Sequence, residues 1–237
     1  MRALPLMLLC SFLSQAQVIQ WSREDIVKYT PQWKGDRSPD GRPKAPDALL
    51  EKLKGVSVAA LAGQRAYQAQ LVDSLHNLNP GKKLVGRALT LQLMPVRQDV
   101  AGVAAADWRQ KGNQGVLNHQ TAIDLLQPGD VFVVDAYGSL PVGGIIGDNL
   151  AYYIWKKTGA GFVIDGAIRD VEGVAQYGMP GFFRWATPPA IQGTMVMGIN
   201  TPVRIGNTTV MPGDVVLGDR SGVVFIPPHL AEEAAGK

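Results

Sequence analysis

Leu89, Leu91 and Leu93 alternate with Thr90, Gln92 and Met94 within residues 84–94, a period of two that predicts a strand with one face in the core. Two more apolar runs open on the same phrase, PGDVFVVD at 128–135 and PGDVVLGD at 212–219. In each, Pro-Gly makes the turn, the aspartate accepts hydrogen bonds inside it, and a buried strand follows. There is no third copy, so the pair predicts two similar β elements in one domain and not a solenoid. Residues 162–165, 182–186, 203–205, 208–211 and 223–226 read as further short strands, with Gly206-Asn207 as a hairpin turn.

Helices are marked by their ends. Ser22, with Asp25 three residues on, caps a short helix that stops before Pro31. Pro46 and Asp47 start another that runs to Lys54 and halts at Gly55. Ser57 caps a third over 58–70, a short one is expected around 101–108, and Asn118 begins one that reaches 126. A glycine-rich turn at Gly143, Gly144 and Gly147 opens a helix over 148–158, and residues 229–235 close the chain with another. Helices gather early and strands late, which predicts an α/β fold: a single domain with a mixed β-sheet and a helical N-terminal extension.

The proline-rich, charged stretch 31–46 is too polar to fold by itself. It reads as an extended arm laid along a neighbouring subunit, with Trp33 as anchor. Ahead of it, residues 1–16 have the form of a signal peptide: Arg2, an apolar run over 3–13, and Ser14-Gln15-Ala16 before a cleavage at Gln17. That run is too short to span a bilayer, so no membrane anchor is expected. The divisions are therefore 1–16 signal, 17–80 helical extension and arm, and 81–237 α/β domain. The location implied is periplasmic or secreted, or cytoplasmic if the leader is not a signal.

Composition narrows the chemistry. With 237 residues and 46% hydrophobic content, one real core is possible. The formal charge is only +3 and no block of Lys or Arg appears, which argues against a nucleic-acid partner. Cys10, the only cysteine, falls in the leader, so the remainder has no disulfide or thiolate chemistry. His76, His119 and His229 lack ligand spacing for zinc. Nucleophile-elbow, Walker and dinucleotide motifs are missing. Lys156 and Lys157 read as solvated, Tyr152, Tyr153 and Trp155 as packing residues, and Asp135 and Asp165 as either turn caps or catalytic acids.

The chemistry concentrates in 143–173. A glycine-rich helix entry offers unpaired N–H groups and the positive end of a dipole to an anion. Beyond it, Arg169 supplies a planar fork for a carboxylate or oxyanion, and Asp170 a hard oxygen ligand for Mg²⁺ or Mn²⁺. Read singly, these are an ordinary helix cap, and a surface ion pair or the start of a further helix capped by Asp170. Together they describe a site for a small carboxylate with a divalent metal cation.

GDNL at 147–150 and VIDGAIRD at 163–170 resemble the signature of the RraA-like family, over about residues 84–228. That family includes 4-hydroxy-4-methyl-2-oxoglutarate aldolases and oxaloacetate decarboxylases. The resemblance implies a swivelling β/β/α core and a lyase that cleaves a C–C bond of a small 2-oxo acid to release pyruvate. It implies that Gly147, Asp148, Asn149 and Leu150 bind the substrate carboxylate, that Arg169 contacts the substrate, and that Asp170 holds the cation. It also implies a homotrimer or homohexamer. Catalytic members carry an acid three positions beyond the aspartate; here that position is Gly173, with Glu172 one short, and Glu172 is taken as the candidate to place a proton or a water. Gly173 also keeps two rivals open: a non-catalytic regulator of a ribonuclease, and a small-carboxylate binding protein.

Overall fold

The computed structural model describes residues 19–64, 70–138 and 143–237. The expected signal at 1–16 lies outside them. One nine-stranded mixed sheet organises the fold. Strand β3 (Leu84–Pro95) pairs in parallel with β4 (Asp130–Asp135), which is followed in parallel order by β5 (Gly161–Ile168) and β6 (Gly181–Ala186). On its other side β3 takes β10 (Val215–Asp219) antiparallel, and β10 takes β11 (Gly222–Ile226). Short edges β1 (Leu71–Val72) and β2 (His76–Asn77) close the two ends, and β7 (Thr194–Ile199) pairs with the distal half of β3. Strands β8 (Val203–Ile205) and β9 (Thr208–Val210) form the expected hairpin.

The repeated phrase thus places its two strands on either side of β3, β4 parallel and β10 antiparallel. This explains why the alternation in β3 does not mark an exposed face. Residues Leu84 to Leu91 are all buried, Thr90 included, whose hydroxyl donates to the Thr201 carbonyl at 2.6 Å. This central part of β3 is covered on both faces, so a polar residue persists there only with a partner.

Helices follow their caps. Ser22 and Asp25 form the capping box of α1 (Arg23–Tyr29), and Pro46 precedes α2 (Asp47–Leu53). The helix expected over 58–70 is shorter: α3 (Val58–Ala62) ends on Gly63, and residues 65–69 lie outside the described residues. The next, α4 (Gln98–Gln110), is longer than its expected 101–108. Asn118 caps α5 (His119–Asp124), α6 (Asp148–Thr158) ends on Gly159 in the left-handed region, and α7 (Val171–Gln176) starts from Asp170, the alternative reading of that residue. A 3₁₀ turn leads into α8 (Ala231–Ala235). Helices α2, α3 and α8 pack with β10 and β11 into one apolar cluster.

The arm at 31–46 is tied to its own chain. Arg42 is 1% exposed and reaches Asp130 Oδ2 at 2.9 Å and Asp40 Oδ2 at 2.7 Å. Within the chain this buried guanidinium ties the arm down, and Trp33 packs, partly buried, against the cluster formed by α2, α3 and α8.

Asp214, the counterpart of Asp130 in the second phrase, has no such cation among the described residues. Its Oδ2 accepts the Met211 N–H at 2.8 Å, and burial raises its pKa to about 7. An acid whose folded pKa lies above its unfolded value costs nothing below the unfolded pKa. Its cost grows as pH climbs from about 4 to about 7 and is constant above. Asp214→Asn, which keeps a side-chain acceptor for Met211, should flatten that fall. Urea titrations at pH 4.5 and 8 should show the variant gaining on the parent by on the order of a few kcal/mol at the higher pH. Equal differences at both pH values would refute the assignment.

Candidate active site

Residues 144–146 lie along the end of β5: Ile145 N–H donates to Ala167, and Arg169 N–H to the Ile146 carbonyl at 2.9 Å. The approach is close enough to demand glycine. A Cβ on Gly144 would stand 2.7 Å from Arg169 N, and one on Gly147 would stand 2.4 Å from Asp170 Oδ2 and 3.0 Å from Arg169 Nε. The backbone contact at Gly144 requires glycine, whereas a Cβ at 147 would only displace the Asp170 and Arg169 side chains, which are partly exposed.

Asp170 makes that turn with φ 55° and ψ 39°, left-handed for a residue other than glycine, and begins α7. Such a conformation costs on the order of 1 kcal/mol or more and marks a position whose side-chain direction matters. Its Oδ2 lies 3.3 Å from Arg169 Nη1, with both side chains more than one-third exposed. The ion pair is thus open to solvent and free to exchange partners.

A cavity of about 160 Å³ collects Gly147, Asn149, Leu150 and Arg169 from the expected set, together with His119, Gln120 and Ile191. No side chain caps α6 at Gly147, so its first-turn N–H groups other than that of Asn149 remain available to an anion. Asp148 is the first-turn acid and not the cap; its Oδ1 turns back onto the Asn149 N–H at 2.7 Å. Asp148 is not among the cavity's lining residues. Glu172 is exposed on the first turn of α7 and also does not line it. A Cβ on Gly173 would sit 3.4 Å from Asp148 Cβ, so Asp148 is the carboxylate beside the position of the absent acid.

His119 is the residue that spacing arguments set aside. It is the first residue of α5, placed by the Asn118 cap, and burial lowers its pKa, which leaves a neutral imidazole at pH 7. Only the sheet brings it near Arg169, fifty residues later. Asp135 and Asp165 are structural: Asp135 accepts the Tyr137 and Arg204 N–H groups, and Asp165 the Gly206 N–H and Arg184 Nε. Tyr152 and Tyr153 are half-exposed under Lys156 and Lys157, away from the cavity lining.

Among the described residues, no three acidic, His or Cys side chains converge as a metal cage. Asp170, partly exposed and beside Arg169, instead fits a hard cation held by one carboxylate and completed by water.

A sequence model of the RraA-like family, described as Aldolase/RraA, matches residues 50–225. An inferred 4-hydroxy-4-methyl-2-oxoglutarate aldolase of Halalkalibacterium halodurans is 34% identical over 167 residues, 70% of this chain and 70% of that protein. A 4-hydroxy-4-methyl-2-oxoglutarate aldolase of Thermus thermophilus is 32% identical over 99 residues, 42% of this chain and 60% of that one. Among solved structures, Streptomyces coelicolor RraAS2, described as an unusual member of the RNase ES inhibitor RraA protein family, superposes with a TM-score of 0.68. It is 32% identical and the alignment covers 81% of this chain and 92% of that one.

Proposed function

Since the chain belongs to the RraA-like family, we propose that it is a lyase that cleaves the C–C bond of a small 2-oxo acid and releases pyruvate. The substrates proposed are 4-hydroxy-4-methyl-2-oxoglutarate and oxaloacetate. The observation that carries this is the convergence, at one small cavity, of the uncapped α6 terminus, the Arg169 guanidinium and a neutral His119.

The α6 N–H groups and Arg169 bind the substrate carboxylate and fix the keto oxygen beside the guanidinium. When the bond between C3 and C4 breaks, its electron pair moves to that oxygen as the enolate, and Arg169 stabilises the charge. His119 takes the proton of the 4-hydroxyl, which becomes the keto group of the second pyruvate, and returns it to C3 of the enolate. In oxaloacetate the fragment that leaves is CO₂ and the enolate is the same. A divalent cation such as Mg²⁺ or Mn²⁺, held by Asp170 and waters, would supply Lewis-acid stabilisation of the same oxygen. Glu172, exposed on α7, is left to order water at the rim.

A pyruvate-release assay on both substrates tests this. Release is expected with Mg²⁺ or Mn²⁺ and should fall to background on chelation. If neither substrate yields pyruvate with either cation, the lyase reading is wrong. The likeness to the Streptomyces protein favours a second reading, restraint of a ribonuclease, and pyruvate bound without turnover would favour a small-carboxylate binding protein. Export after cleavage before Gln17, and assembly as a homotrimer or homohexamer, complete the proposal. Among the described residues, no helix is long and apolar enough to cross a membrane.

A further inference from the structure

A second cavity, of about 410 Å³, lies between the end of α1, the arm that follows it, and the turn from β9 to β10. It shares no lining residue with the cavity at Arg169, so nothing below depends on the lyase reading. Tyr29, Trp33 and Met211 give it an apolar wall. Two acceptors line it as well. Gln70 Oε1 is enclosed without a hydrogen-bond partner, and Asp214 is 5% exposed with a single backbone donor, the Met211 N–H. Among the described residues, no Lys or Arg lines the cavity.

The chain shows elsewhere what such an acid requires. Asp130 and Asp214 occupy the same place in the repeated Pro-Gly-Asp phrase, and each accepts the N–H of the residue three before it, at 2.9 and 2.8 Å. Asp130 then receives the Arg42 guanidinium at 2.9 Å. Among the described residues, Asp214 receives no side-chain donor. Asp214 lines the cavity instead.

We propose that this cavity binds a small organic cation of the amidinium or guanidinium class. Its planar N–H groups meet Asp214, beside Gln70, and its apolar body rests against Tyr29 and Trp33. Burial raises the Asp214 carboxyl to about 7, so the empty site holds a proton part of the time and the cation displaces it.

Benzamidine is the probe, with benzamide as its neutral counterpart of the same shape. Titration calorimetry on the full chain should show benzamidine binding with Kd near or below about 1 mM, and benzamide at least about tenfold weaker. Asp214→Asn should weaken benzamidine by at least about tenfold, and Gln70→Leu by less. Proton release on binding, read from the buffer dependence of the heat at pH 6, should accompany it in the parent and vanish in Asp214→Asn. The inference is overturned if benzamidine does not bind the parent at 10 mM, in which case the cavity holds only water, or if benzamide binds as well, in which case it is merely apolar. Should Asp214→Asn not fold, the comparison of the two probes on the parent decides alone.

Discussion

Arg169→Ala should lower kcat/KM for pyruvate release by about 10²–10³-fold or more, the usual cost of removing one donor aimed at a developing oxyanion. The loss should fall mainly on kcat, because charge gathers on the keto oxygen only as the bond breaks. The fold should survive: the Arg169 side chain is 38% exposed, and the one ion pair it makes among the described residues is the 3.3 Å approach to Asp170. An exposed pair of this kind contributes little to stability, so unfolding in urea should move by less than about 0.5 kcal/mol. Arg169→Lys keeps the charge but loses the fork, and should recover only part of the rate. A variant that turns over normally would remove Arg169 from the mechanism.

The largest effect on stability is expected at the other end of the sheet, from Arg42→Ala. That change leaves Asp130 buried without its cation and Asp40 with one partner fewer, which should cost about 3–5 kcal/mol in urea unfolding. The cost arises from the stranded charge more than from the lost attraction. A double variant, Arg42→Met with Asp130→Asn, should therefore be more stable than Arg42→Ala even though it has no ion pair. The amide oxygen that Asp130→Asn introduces would still accept the N–H of Gln127, which now bonds Asp130 at 2.9 Å. A loss below about 1 kcal/mol in the single variant would show that the arm is held by something other than this guanidinium.

The sequence by itself determined what is local. Ser22 with Asp25, Asn118, and Gly159 end or begin helices through hydrogen bonds and dihedrals that span four or five residues, and each does so here. The paired Pro-Gly-Asp turns and the Gly206-Asn207 hairpin are legible for the same reason. So is the juxtaposition of the GDNL helix entry with Arg169 and Asp170, because one helix and one strand separate them in the chain.

The tertiary structure decided what depends on neighbours. The alternation in β3 says only that every second residue is apolar, whereas in the fold Thr90 is buried with the leucines, its hydroxyl held by the Thr201 carbonyl. Strand β7 was invisible because TMVMGI is strand-like only against β3, across a register shift between Gln92 and Leu93. Arg42 reads as one more charge in a polar arm until Asp130, eighty-eight residues away, is folded beneath it. His119 had no motif because its place in the site comes from the sheet, which seats α5 and the end of β5 at one cavity. Caps and turns are short-range and survive being read one at a time; burial, and with it the choice of partner for a charge, belongs to the assembled sheet.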